Sequence, residues 1–254
     1  MSSNPKSDLL RSLHVPGAPL VLPNAWDVPS ARAVVAAGFP VVATSSAAVA
    51  ESLGFEDHQR APAGEMFAAA ARIASVVEVP VTVDAEAGYG LSPEDLVESL
   101  EAAGAAGCNL EDTNHTAGEA LVDADQHAAW LAAVRRAASD RGYGLVINAR
   151  VDVFLLAEER PASEPMADAV ARARAYAAAG ADCVYPIFLA EDAAIGEFVE
   201  AVAVPVNILA LPDAPSRARL AELGVARISY GVIVHRRSLQ ALDEILAAVA
   251  AGSD

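Results

Sequence analysis

Three carboxylates, Asp84, Glu86 and Glu111, each follow a short apolar run in this chain of 254 residues. Brought together at the ends of neighbouring strands, they would repel one another and take up protons unless a cation sat among them. Oxygen ligands with no His or Cys beside them suit Mg²⁺, with Mn²⁺ as the alternative, rather than zinc. A Gly88-Tyr89-Gly90 turn follows the first two acids and lets backbone approach a ligand closely. Arg150, at the end of another apolar run, is the natural counter-charge, because its planar fork can clasp a carboxylate. The alternative for Arg150 is an internal salt bridge to one of the acids. Ser45 and Ser46 precede a helix-like segment and offer hydroxyl and backbone N–H groups to an anion.

The elements that must position these groups are legible as an alternation. Strand candidates are residues 20–22, 41–44, 81–84, 108–110, 145–150, 183–185, 206–209 and 227–230. Helix candidates are residues 30–37, 64–77, 93–103, 123–139, 166–179, 215–223 and 236–250. Strands this short and rich in Val and Ile read as buried on both faces, as in a parallel sheet. Glycines 38, 104, 180 and 224 stop four of the helices, and Ser92-Pro93 starts another. Eight such units without a linker imply a single α/β domain over residues 1–254, a closed (β/α)₈ TIM barrel whose active site lies at the C-terminal strand ends. Without Gly-x-Gly-x-x-Gly after the first strand, a dinucleotide-binding sheet loses its main support.

The formal net charge of −17 and the absence of any basic run argue against a nucleic-acid partner. Apolar stretches fall short of a membrane span, and residues 1–14 lack the apolar core of a signal peptide. Cys108 and Cys183 open apolar runs without metal-ligand spacing, so both read as buried thiols in a reducing, cytoplasmic compartment. The histidines show no mutual ligand spacing, although His115 follows the Glu111 strand and could reach the barrel mouth.

The motifs Pro23-Asn24-Ala25-Trp26-Asp27, Thr44-Ser45-Ser46, Leu53-Gly54-Phe55-Glu56-Asp57 and Asp84-Ala85-Glu86-Ala87-Gly88-Tyr89-Gly90 together resemble the phosphoenolpyruvate mutase/isocitrate lyase superfamily. Asn109-Leu110-Glu111-Asp112 and Asn148-Ala149-Arg150-Val151-Asp152 extend the likeness over nearly the whole chain. The resemblance implies Asp84 as the direct Mg²⁺ ligand, with Glu86 and Glu111 acting largely through waters. It implies Arg150, Ser45, Ser46 and Ala47 as the seat of a 2-oxo acid's carboxylate, and Asp57 beside the departing or transferred group. Trp26 and Asn207 complete the implied substrate-binding set, and Tyr185 and Pro186 are further candidates at a strand end. The implied chemistry makes or breaks a bond next to the carbonyl of a small 2-oxo acid through a pyruvate-enolate-like species. A C–C lyase or decarboxylase is the leading reading; a C–P bond enzyme (mutase or phosphonopyruvate hydrolase) and a non-catalytic metabolite-binding barrel are the alternatives. Homodimers or homotetramers that exchange the last helix are implied as well.

Two departures bear on the class. Glu86 stands where the family has a second Asp. The segment Thr113-Asn114-His115-Thr116-Ala117-Gly118-Glu119 carries neither the Cys nor the Lys of the isocitrate and methylisocitrate lyase loop, which argues against those two activities.

Overall fold

The computed structural model describes residues 4–116, 118, 120–157 and 163–252, with the side chains of 163 and 164 also outside the description. Ala117 and Glu119 of the loop singled out above therefore lie outside the described residues. Before the barrel comes α1 (Pro5–Ser12); β1 (Leu20–Leu22) and β2 (Asn24–Ala25) then form one broken strand interrupted at Pro23. Next are α2 (Val28–Ala36), β3 (Val42–Thr44), α3 (Ser46–Leu53), α4 (Ala63–Ala74), β4 (Val81–Asp84) and α5 (Pro93–Ala102). The strand β5 (Gly107–Glu111) leads into a small antiparallel hairpin, β6 (Thr113–Asn114) and β7 (Ala120–Leu121). Then follow α6 (Ala124–Asp140), β8 (Val146–Val151), α7 (Ser163–Ala178), β9 (Cys183–Pro186) and α8 (Asp192–Ala201). The chain closes with β10 (Asn207–Leu209), α9 (Arg217–Glu222), β11 (Arg227–Ser229) and α10 (Ile233–Ala251).

One parallel ladder runs β2-β3-β4-β5-β8-β9 and another runs β1-β11-β10. A parallel bridge from Val184 to Val206 joins them on one side, and the continuity of β1 with β2 joins them on the other. The sheet thereby closes into the eight-stranded barrel that the sequence pattern predicts. Val83, Ile147, Val184 and Ile228 lie in the core that helices such as α5 and α6 cover with Leu96, Leu100, Leu131 and Val134. The helix starts follow from capping chemistry. Asp27 accepts from Ser30 N at 2.8 Å in a reciprocal capping box, and Ser92 accepts from Asp95 N at 3.1 Å ahead of Pro93. Gly180 shows why a predicted stop must be glycine: its φ is 104°, and an added Cβ would lie 2.9 Å from Arg135 Cγ.

Two helices fall outside the sequence expectation, α1 and α8, whereas α3 is the helix-like segment expected after Ser45 and Ser46. α1 is only eight residues long, too short to show much periodicity. α1 seals the end of the barrel away from the cavity, with Ser7 Oγ donating to Ala106 O and Lys6 Nζ to Val77 O. At the other extreme, α10 leaves Leu239, Leu242, Ile245, Leu246 and Val249 exposed, and His235 is its only buried residue. That is a 19-residue helix without an apolar partner on the described chain; exchange of it between subunits is not shown. Among the described residues, no helix is long and apolar enough to cross a membrane.

Candidate active site

At the C-terminal ends of the strands a cavity of about 310 Å³ opens among Ser45, Ser46, Ala47, Asp57, Asp84 and Arg150. Asn109 and Tyr185 also line it, as do residues 229–233 and Arg236 at the start of α10. Asp84, the last residue of β4, is tightly held. Its Oδ2 accepts from Ser46 N at 3.0 Å and Ser46 Oγ at 2.9 Å, and its Oδ1 faces Asn109 Nδ2 at 3.4 Å. The N-terminus of α3, read from sequence as a seat for an anion, thus presents Ser46 to Asp84 itself.

Glu86 sits in a left-handed backbone conformation, φ 47°, which turns it under the neighbouring loop. Gln59 N donates to its Oε2 at 2.6 Å and Tyr89 OH to its Oε1 at 2.9 Å. Burial, then the charges of Glu111, Asp57 and Asp84, push its carboxyl up to about 8. Glu111 is buried between two donors: His115 Nε2 lies 2.5 Å from Oε1, and Arg150 Nη1 lies 2.5 Å from Oε2. Burial raises its carboxyl to about 7 against the opposing pull of Arg150 and His115. Burial acts to lower His115, but its hydrogen bond to Glu111 and that carboxylate's charge outweigh it and raise the imidazole overall.

Arg150 is not a free fork. Its Nε and Nη2 donate to Asp152 Oδ1 and Oδ2 at 2.6 and 2.9 Å, so the internal ion pair weighed from sequence is present. Asp152 is fixed in turn by Thr113 Oγ1 at 2.6 Å and through its backbone N–H to Asp112 Oδ1 at 2.8 Å. Asp112 accepts from Tyr176 OH at 2.7 Å and Arg172 Nη1 at 3.1 Å. This buried chain sets the height at which Arg150 meets the cavity.

The structure gathers Ser45, Ser46, Ala47, Asp57, Asp84 and Arg150 around one space, with Glu86 and Glu111 just behind. It does not bring Trp26 or Asn207 to the lining. Trp26 packs with the cluster around Val49, Ala50 and Met66 and against the His235 ring at 4.7 Å. Asn207 begins β10 rather than ending it, and its Oδ1 accepts from Ser229 Oγ at 3.1 Å, behind a residue that itself lines the cavity. The expectation of carboxylates without a nearby imidazole is also corrected: Glu86, Glu111 and His115 each present a ligand atom within 4.8 Å of one another and could hold a metal ion.

Sequence reasoning missed Arg227 and Asn109. Arg227 is 1% exposed inside the barrel and donates through Nη2 to Asn109 Oδ1 at 3.1 Å, where Asn148 Nδ2 also donates at 2.8 Å. Asn109 passes this support to Asp84. An arginine inside an apolar strand, as in Ala226-Arg227-Ile228, was the available signal.

The donor set fits a divalent cation. Asp57, Asp84, Glu86, Glu111 and Asp152 crowd one region, with Arg150 paired to two of them. A buried oxygen of Asp57 lacks any hydrogen-bond partner among the described residues.

A sequence model of the family "phosphoenolpyruvate phosphomutase" matches residues 10–250. An uncharacterised Mycobacterium tuberculosis protein is 36% identical, covering 94% of this chain and 88% of that one. The crystal structure of a proposed phosphonomutase from Burkholderia cenocepacia J2315 is 42% identical, with TM-score 0.91, covering 96% of this chain and all of the other. The 2,3-dimethylmalate lyase structure, of the PEP mutase/isocitrate lyase superfamily, is 25% identical with TM-score 0.87, covering 98% and 89%.

Proposed function

The chain belongs to the phosphoenolpyruvate phosphomutase family, and from that premise we propose a Mg²⁺-dependent lyase acting on a small 2-oxo acid. The reaction makes or breaks a bond next to the carbonyl, through a pyruvate-enolate-like species. Family membership supports a lyase- or mutase-type enzyme; the choice of a carbon–carbon lyase or decarboxylase is our reading. The observation that carries it is the carboxylate surplus at the cavity, where Glu86 is pushed up to about 8 and a buried Asp57 oxygen has no hydrogen-bond partner among the described residues. A cation relieves that surplus.

A second observation favours metal over imine chemistry. Lys6 is the only lysine in the chain, and its Nζ donates to Val77 O at the opposite end of the barrel. No lysine amine is available to condense with a keto group in the cavity.

Asp84 would hold the cation directly, with Glu86 and Glu111 behind it. A divalent ion there supplies the Lewis acidity that draws charge onto the keto oxygen. Arg150, clamped by Asp152 along one edge, turns its Nη1 end toward Glu111 and orients the substrate carboxylate together with Ser45, Ser46 and Ala47. Asp57 faces the departing or transferred group. The whole chain acts as one barrel domain. Homodimers or homotetramers would cover the apolar face of α10, and the two buried thiols fit a cytoplasmic setting.

Asp84→Ala tests the assignment by calorimetry: both Mg²⁺ and oxalate binding should be lost, and retained oxalate affinity would sink it. Pyruvate release from a panel of 2-oxo acids with and without EDTA tests the lyase. Phosphate release from phosphonopyruvate would instead indicate the C–P enzyme, and binding without turnover a metabolite-binding barrel.

A further inference from the structure

The metal-ligating side chains at the barrel mouth fall into two groups. Asp57 and Asp84 line the cavity, whereas Glu86, Glu111 and His115 do not and stand just behind its wall. Among the described residues these three form the one group of His, Cys, Asp and Glu side chains whose ligand atoms all lie within 4.8 Å of one another, and Asp84 is outside it. The Glu111 side chain is 2% exposed and that of His115 is 5% exposed.

Two independent features point to an ion among them. Glu111 meets Arg150 Nη1 with Oε2 and His115 Nε2 with Oε1, the latter at 2.5 Å. The other ring nitrogen of His115, Nδ1, is buried with no hydrogen-bond partner among the described residues. The imidazole thus has a ligand nitrogen that none of the described hydrogen bonds uses. Bonds of about 2.0–2.2 Å to a tetrahedral ion set its ligand atoms about 3.4 Å apart, and the 2.5 Å spacing of Glu111 and His115 and the 4.8 Å limit on the group bracket that value. The second feature is charge. Asp57, Asp84, Glu86, Glu111 and Asp152 share the guanidinium of Arg150, so a single divalent ion at Asp84 leaves the region negative.

We propose that Glu86, Glu111 and His115 form a second metal site, distinct from the cation at Asp84, that takes Zn²⁺ or a similar late first-row dication. An imidazole nitrogen suits such ions, while Mg²⁺ keeps to carboxylates and waters. The ion sits behind the cavity wall, makes no contact with substrate, and ties the loop after β5 to the ends of β4 and β5. A carboxylate offers about four lone-pair positions, so Glu86 and Glu111 can hold this ion directly and still act through water on the cation at Asp84.

The test is Co²⁺ binding to the full, tag-free chain, stripped with chelator and held in excess Mg²⁺, read by visible absorption and calorimetry. Wild type should take up one Co²⁺ per chain that excess Mg²⁺ does not displace, with the intense visible band of a four- or five-coordinate ion. Asp84→Ala should keep that Co²⁺ while losing Mg²⁺. His115→Ala should weaken Co²⁺ by more than the roughly 100-fold that loss of an outer-shell partner costs, and should still bind Mg²⁺. Proton magnetic resonance of the Co²⁺-loaded wild type should show a strongly shifted imidazole N–H, a readout that needs no variant. Loss of Co²⁺ from Asp84→Ala would merge the two sites into one and overturn the proposal. Unchanged Co²⁺ affinity in His115→Ala, the absence of a shifted imidazole N–H, or displacement of Co²⁺ by Mg²⁺ would overturn it equally.

Discussion

Replacing Glu86 with Gln in metal-free protein isolates the electrostatic cost of the carboxylate cluster. In the unfolded chain this carboxyl titrates near its ordinary value of 4.5, whereas in the folded barrel burial and three neighbouring acids hold the proton until about pH 8. Below pH 4.5 both states are protonated and the group contributes nothing. Above it the unfolded state ionises first, so folding stability falls with rising pH by about 1.4 kcal/mol per unit until pH 8. Between pH 5.5 and 8, allowing for the taper at the upper end, the loss is about 3 kcal/mol. Gln cannot ionise and escapes that loss. It also disturbs the donation from Gln59 N at 2.6 Å, but by an amount that does not depend on pH. Urea unfolding of both proteins with chelator at pH 5.5, 7 and 8 should therefore show the variant gaining about 3 kcal/mol relative to wild type across the range. A gap that stays constant to within about 0.5 kcal/mol would refute the reasoning. Saturating Mg²⁺ should flatten the wild-type slope, because binding to the ionised folded state restores what the proton otherwise protects.

Asp152→Ala should cost about 3–5 kcal/mol in thermal or urea unfolding, because it strips Arg150 of a bidentate partner in a buried site. Gly180→Ala should cost about 1–3 kcal/mol by the same measurement, from its φ of 104° and the 2.9 Å approach to Arg135. Ile245→Glu with Leu246→Glu should leave the barrel folded by circular dichroism yet reduce the particle mass in light scattering to that of one chain, while an unchanged mass would free α10 from any role in assembly.

The barrel was legible because its strands are short continuous apolar runs and its helices end on glycine. Both signals are local, and all eight strand positions were recovered to within a residue or two. The short helix α1 was not, since eight residues carry only about two turns of pattern. At the site, position along the strand decided the outcome. Asp84 and Glu111 end their strands and reach the cavity region, while Asn207 begins its strand and meets the cavity only through the hydrogen bond it accepts from Ser229. Trp26 lies beside the right motif, but its ring finds His235 and α3 rather than the cavity. The link from Arg227 through Asn109 to Asp84 joins residues 118 and 25 positions apart, which no local pattern records.

The placement of Lys6 has a practical side. Its amine is the only lysine amine in the chain and lies beside Val77 O, at the barrel end sealed by α1. Amine-directed acylation of side chains should therefore leave the cavity chemically untouched. A surface linked through Lys6 would hold the barrel with its mouth facing outward, an orientation suited to measuring ligand capture on an immobilised protein.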